Sequence, residues 1–199
     1  HYQDPQLRDK PSDFFKEFQL VGKKKIIIIS RLEEEKKVLD AIKVISNLVN
    51  IKSMPVDFFI CGVGPEEDFL KKYATQEKVI NNIHFCGMRN QSWLSSAIPL
   101  MDLCISPITG RALVEVALGG VPVVGYDRDW QAEIIEHNIS GYICKFNDIE
   151  ALSNFSNLVL QDQEKAREMG HELRKKALKA FNKDDALMME QSCYDELLK

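Results

Sequence analysis

Two basic residues, Arg31 and Lys36, stand five positions apart just past an unbroken run of isoleucines, Ile26 to Ile29. A β-branched run bounded by charge reads as a strand buried on both faces, so both cations fall where that strand yields to a loop and a helix start. There they can be aimed at one diphosphate, arginine as a planar fork for two oxygens and lysine as a point charge. The competing reading is a solvated charge cluster, because Glu33, Glu34 and Glu35 lie between them. A second stretch with chemistry in it runs Ser106-Pro107-Ile108-Thr109-Gly110-Arg111-Ala112-Leu113-Val114-Glu115 and on to Gly119-Gly120-Val121-Pro122-Val123-Val124. It reads as a strand (Leu103 to Ser106), a turn, a helix from near Gly110, and a strand (Val121 to Tyr126). In an open parallel sheet such a unit sets helix N–H groups outside a strand's carboxyl end, where anions bind. Gly110 is expected where the turn needs a residue without a side chain. Arg111, a cation in the first helical turn, opposes the dipole unless an anion sits there too. Glu115 can accept from ligand hydroxyls if its face is open, or can simply be a helix glutamate facing water.

The elements that must hold these residues alternate regularly. After the first strand, Glu33 to Lys37 leads into a helix with apolar positions Val38, Ala41, Ile42, Ile45, Leu48 and Val49, the acidic triplet suiting its N-terminus. A second strand, Val56 to Cys61, is followed by Gly62-Val63-Gly64-Pro65-Glu66-Glu67. The two glycines lack the third of a dinucleotide fingerprint and are explained by a strand-to-helix turn, with Pro65 at the first helical position. A helix to about Glu77 follows, then a strand from Ile83 to Cys86 closed by Gly87, and a short helix from Gln91 to Ile98. Beyond the central unit come a helix near Gln131 to Glu136, with Asp129 as its cap and Trp130 packing, a strand from Tyr142 to Cys144, and a helix from Asp148 to Gln161. Glu164 to Lys199 is helical in character, with a break near Asn182. Crossovers of this kind force an α/β fold, a Rossmann-like parallel sheet with helices on both faces and a helical C-terminal tail. The expected division is a linker or edge segment over 1–22, the Rossmann-like domain over 23–181 and a terminal helix over 182–199.

On these residues the chain resembles the donor-binding domain of GT-B glycosyltransferases, the retaining group 1 family that includes sucrose synthase and glycogen synthase, over roughly Lys24 to Phe181. Members carry Gly-Arg-Leu, three residues, then Lys-Gly; here Ser30-Arg31-Leu32 and Lys36-Lys37 fit, with Ser30 for the first glycine and Lys37 for the last. Members also carry two glutamates separated by seven residues, followed by a Gly-Pro-Val-Val run. Glu115 and Gly119 to Val124 match, while Pro107 stands in place of the first glutamate. The resemblance implies that Arg31 and Lys36 are catalytic, binding the donor diphosphate and stabilising the leaving group. It implies that Glu115 accepts from the ribose, and that Thr109, Gly110, Arg111 and Ala112 offer N–H groups to the diphosphate. Gly62 and Gly64 border the nucleotide, and the strand and loop around Met88 and Arg89 meet its base through backbone atoms. The donor would be a UDP- or GDP-linked sugar, with no metal and no further cofactor. Acceptor groups would come from an amino-terminal domain missing from this chain, and any peripheral membrane contact would come through that domain. The tail is expected to cross back toward it, and the isolated piece to be inactive in transfer. Pro107 cannot replace a carboxylate directed at the donor sugar, so either recognition has moved to Thr109 and Arg111, which would suit an acidic or phosphorylated sugar, or activity is lost. That leaves two alternatives to a transferase: a non-catalytic nucleotide-sugar-binding or regulatory module, and a nucleotide-sugar epimerase, for which no acid/base side chains stand out.

Composition bounds the rest. A chain of 199 residues with 45% hydrophobic content can build one large core. A net charge of -4 argues against a general nucleic-acid partner. The five cysteines, Cys61, Cys86, Cys104, Cys144 and Cys193, show no metal-ligand spacing and read as reduced core thiols, hence a cytoplasmic setting. His84, His137 and His171 have no partner spacing for a triad or metal. No apolar run is long enough to span a membrane and no secretory leader is seen; a start at His1 suggests a piece of something longer.

Overall fold

A computed structural model describes residues 22–108 and 110–181. The expected linker over 1–22, apart from Gly22, the terminal helix over 182–199, Thr109 and Cys193 lie outside those residues. Six strands, β1 (Lys24–Ile29), β2 (Val56–Cys61), β3 (Ile83–Gly87), β4 (Leu103–Ser106), β5 (Val123–Tyr126) and β6 (Gly141–Cys144), form one sheet in the order β3-β2-β1-β4-β5-β6. All neighbouring pairs are parallel. The strands are buried on both faces, which is why they read as continuous apolar runs.

Helices cover the two faces separately. One layer is α1 (Val38–Ser46), which closes in a wider π turn at Asn47–Ile51, α2 (Glu67–Gln76) and α6 (Ile149–Gln161); their apolar sides pack on Ile26, Ile28, Phe58 and Ile60. The other is α3 (Gln91–Ala97), α4 (Arg111–Leu118) and α5 (Gln131–Ile134), packed on Ile27, Phe59 and Cys104. The last helix, α7 (Gln163–Ala180), joins both layers: Ala166 and Met169 belong to the first cluster, Leu173 and Ala177 to the second.

Several sequence expectations need correction. Glu34–Lys36 forms its own 3₁₀ turn, and Lys37, at φ 56°, breaks the chain into the left-handed region before α1 begins, so the acidic triplet is not the helix's first turn. Helix α2 starts at Glu67, two residues after Pro65. Strand β5 starts at Val123, because Val121 donates to Val116 O of the preceding helix and Pro122 has no N–H for the ladder. Helix α5 stops at Ile134, and Asp129, itself at φ 54°, does not cap it. Trp130 packs as expected, edge-on to Phe181.

Helix α7 holds α4 in place from behind. Gly170 passes so close to the Gly119-Gly120 turn that a Cβ on it would lie 2.0 Å from Gly120 O. Arg174 Nη1 donates to Leu118 O at 2.6 Å, satisfying a carbonyl at the negative end of α4. A Gly→Ala change inside a helix normally stabilises by about 0.5–1 kcal/mol. Gly170→Ala is expected to do the reverse, lowering the unfolding free energy by about 1–3 kcal/mol through overpacking, as read from the urea midpoint.

Candidate functional site

Strand order reverses between β1 and β4, which pair through Ile26↔Leu103 and Ile27↔Cys104. The crossovers from these two strands run apart, leaving a crevice at their carboxyl ends. Everything singled out around Arg31 and around Gly110 is attached to one or other lip of that crevice.

On the β1 lip the sheet's hydrogen bonding continues past the strands. Ser30 N donates to Cys61 O (3.0 Å), Leu32 N to Val63 O (3.0 Å), Glu66 N to Leu32 O (3.0 Å) and Gly62 N to Gly87 O (2.8 Å). Such close apposition explains the two glycines: a Cβ on Gly62 would lie 1.8 Å from Ser30 O, and one on Gly64 would lie 2.3 Å from Leu32 O. Gly62 also has φ +152°, open to glycine at little cost. These glycines therefore fix the backbone carrying Arg31. Its side chain is 65% exposed and paired with Glu33 (Nη1 to Oε1, 2.8 Å) and Glu35 (Nη2 to Oε1, 3.5 Å). Lys36 Nζ reaches the same Glu35 oxygen at 3.4 Å. Both cations are thus held by carboxylates from their own loop.

On the β4 lip, Pro107 is buried and α4 begins at Arg111. Gly110 is extended (φ -164°, ψ 177°), and a Cβ there would meet nothing within 4 Å. The backbone does not require glycine at that position, contrary to expectation; a missing side chain there leaves only more room outside the helix. No side chain caps this helix start, whereas Asn90, Asp148 and Asp162 cap α3, α6 and α7. Arg111 is exposed and Glu115 half-buried, at i,i+4 on one helix face, yet they form no ion pair, and neither side chain has another partner among the described residues.

The two lips meet. Lys36 and Ser30 line a slot of about 10 Å³ together with Ser106, Pro107, Ile108 and Ala112. That is room for about one water, so a larger ligand would lie over the slot, against Lys36 on one side and the start of α4 on the other. The remaining sequence-predicted residues lie along the same rim. Met88 is 79% exposed after β3, and Arg89 folds back, donating from Nε to Cys86 O at 2.9 Å with its guanidinium 4.6 Å from the Trp93 ring centre. No described residue places Met88, Arg89, Gly62 or Gly64 in the slot itself.

The cysteines and histidines take structural positions. Cys61, Cys86, Cys104 and Cys144 are free thiols; burial pushes Cys104 up to about 12, and burial with the Asp148 charge does the same to Cys144. His84 Nε2 pairs with Asp57 at 3.0 Å and stacks on Phe59, and His137 Nδ1 meets Ile143 O at 2.9 Å. Among the described residues no group of three or more His, Cys, Asp or Glu could hold a metal ion, and no helix is long and apolar enough to cross a membrane. The sequence set Glu33 to Glu35 beside the two cations without showing which carboxylate pairs with which, and it missed Gln131, which donates from Nε2 to Pro107 O (3.3 Å) and Tyr126 O (2.9 Å). Nothing in periodicity marks that glutamine.

Residues 9–176 match the model of the family described as "Glycosyl transferases group 1". The chain belongs to that family. N-acetyl-alpha-D-glucosaminyl L-malate synthase of Bacillus anthracis is 24% identical over 195 residues, 92% of this chain and 49% of the relative. A glycosyltransferase from Rickettsia africae superposes with a TM-score of 0.85 at 20% identity, over 98% of this chain and 54% of its own. HepE of Anabaena, solved with UDP and glucose, gives 0.81 at 21% identity, over 98% and 55%. The six-stranded parallel domain is thus a Rossmann-like unit of the kind that GT-B proteins contain, and the chain spans about half the length of the B. anthracis relative.

Burial raises the Glu115 carboxyl above the usual carboxylate range. A folded-state value above the unfolded one means that this group's contribution to stability is complete below the unfolded value and is lost as pH climbs through the raised one. Glu115→Gln, neutral throughout, is expected to show a flatter stability profile from acid to neutral pH and to exceed the wild type at pH 7. Urea unfolding at several pH values measures it; a variant less stable at pH 7 would mean that the carboxylate is favourably held.

Proposed function

We propose that this chain is the donor half of a retaining, metal-independent glycosyltransferase, moving a sugar from a UDP- or GDP-linked donor to an acceptor held by a separate amino-terminal domain. One observation carries the reading: Lys36, on the loop with Arg31, and Ala112, in the first turn of α4, line one slot at the point where strand order reverses. Family membership and the UDP in the Anabaena neighbour support it.

The chemistry follows from where charge develops. As the glycosidic bond breaks, negative charge grows on the leaving diphosphate. Fixed cations and helix N–H groups placed there lower the barrier without a nucleophile from the protein. Arg31 and Lys36 would supply the cations, the Gly110–Ala112 segment the N–H groups, and Glu115 an acceptor for ribose hydroxyls. Backbone around Gly62, Gly64, Met88 and Arg89 would border the nucleotide. Without the acceptor side, the chain is expected to bind donor and transfer little. Four free thiols suit a cytoplasmic setting. Buried Pro107 gives some weight to a second reading, a nucleotide-sugar-binding module without transfer.

A thermal-shift screen against UDP, GDP, ADP and their sugars names the base, since a ligand of the folded state raises apparent stability. Titration calorimetry with UDP then tests the seat. Arg31→Ala and Lys36→Ala should each weaken binding by about 1–3 kcal/mol, the worth of a hydrogen bond to a charged group. Glu35→Gln should tighten it, by less than about 1 kcal/mol as suits an exposed pair, because Glu35 holds both cations in the free protein. Unchanged affinity in both alanine variants places the diphosphate elsewhere. Transfer to a broad acceptor panel by the full-length enzyme separates the transferase from the binding module.

A further inference from the structure

Gln131 is fully buried at the first position of α5, the helix that follows β5, and lies outside the diphosphate seat proposed above. Its Nε2 donates to Tyr126 O at 2.9 Å, where β5 ends, and to Pro107 O at 3.3 Å, in the loop that leads into α4. The opposite amide orientation would turn Oε1 onto two carbonyl oxygens, so the acceptors themselves fix which atom is the donor. Room for the amide comes from Gly125, the register partner of Ser106, where a Cβ would lie 3.0 Å from Oε1 and 3.4 Å from Nε2. Oε1, in turn, is buried and has no partner among the described residues.

A buried amide with an orphaned oxygen carries a desolvation penalty that an apolar side chain of equal volume avoids. What the amide does that the apolar side chain cannot is tie two carbonyls, one from β5 and one from the loop between β4 and α4. Pro107 has no N–H with which to anchor that loop to its neighbours, so its carbonyl is what the main chain offers there.

We propose that Gln131 is a positioning residue for the donor site: its amide fixes the carbonyl of Pro107, and through it the direction in which the first N–H groups of α4 point. The inference rests on the donor-site reading above and deepens it. Gln131 acts through the loop on the phosphates and does not act on the base or ribose, and this gives it a signature distinct from general stabilisation.

The test compares UDP and uridine as probes of the 199-residue chain, by calorimetry for UDP and by amide chemical shifts for uridine. Gln131→Met keeps the volume and removes the donor. It is expected to weaken UDP about three- to ten-fold, to leave uridine unchanged, and to move the amide resonances of residues 110–113. Gln131→Glu gives the pH-dependent counterpart: ionised, it faces two carbonyls with no proton to give; protonated, it donates to one. Its UDP affinity relative to the wild type should therefore recover as pH falls. UDP affinity within two-fold of wild type in Gln131→Met, equal losses for UDP and uridine, or no recovery in Gln131→Glu would each overturn the proposal. Should Gln131→Met not fold, the pH profile of Gln131→Glu decides alone. Arg31→Ala separates the two levels: if it also leaves UDP binding intact, the donor-site reading fails, whereas if only the Gln131 variants do, the positioning role fails.

Discussion

The seam between β1 and β4 governs this molecule. It is closed at its amino-terminal end and open at the other. At the closed end Asp102 ties the strands three ways, accepting from Lys25 N at 2.7 Å, donating its own N–H to Lys25 O at 2.8 Å and pairing with Lys25 Nζ at 3.7 Å. Those contacts fix a register in which a one-residue slip would turn every side chain to the wrong layer. The relative height of the Arg31 loop and the α4 start is thereby set by packing some distance from either. Because the crossovers leave in opposite directions, no helix closes the open end.

Within that frame the protein fixes backbone tightly and leaves charge adjustable. Hydrogen bonds beyond the strand ends, with glycines at 62 and 64 admitting the approach, make the loops after β1 and β2 an extension of the sheet. Helix α4 is held at its far end by Arg174 and Gly170. The side chains, by contrast, are free to rearrange. Arg31 and Glu35 are 65% and 66% exposed, so their pairing is weak and salt-sensitive. In the proposed donor reading, a diphosphate would take the place of Glu35 as the partner of both cations.

How much of this was legible in the sequence follows from which forces decide each feature. The strands were, because burial on both faces demands long apolar runs such as Ile26 to Ile29. Strand–helix alternation then dictates a parallel sheet, and the family motifs place the site residues along one rim. What the sequence did not disclose depends on contacts between segments remote in the chain. Lys37 is left-handed although it carries a side chain, and its ammonium lies 5.8 Å from the Phe146 ring centre, on the loop after β6. Gly110 looked like a steric necessity, but its surroundings are open. Asp129 looked like a cap, yet its left-handed backbone leaves Trp130 at that position. Tyr126, at a strand end, donates to buried Asp40 at 3.0 Å across 86 positions of sequence.

Pro107 shows how one departure from a motif is absorbed. A glutamate there would carry charge toward the open end of the seam; proline turns the position inward, and its carbonyl becomes an acceptor for Gln131. The lips of the crevice then bear Arg31, Lys36 and Arg111 as cations, with Glu33 and Glu35 spent on the first two and Glu115 half-buried without a partner among the described residues. A proline where a carboxylate could stand leaves that much less negative charge at the mouth of the crevice. In the donor reading proposed above, discrimination at the sugar end would rest on main-chain groups and Arg111. A side chain can change rotamer to suit different hydroxyl patterns, whereas a main-chain loop bound to two strands cannot. In that reading, selectivity at that end would depend on how firmly the loop is held, and less on any single polar atom it presents.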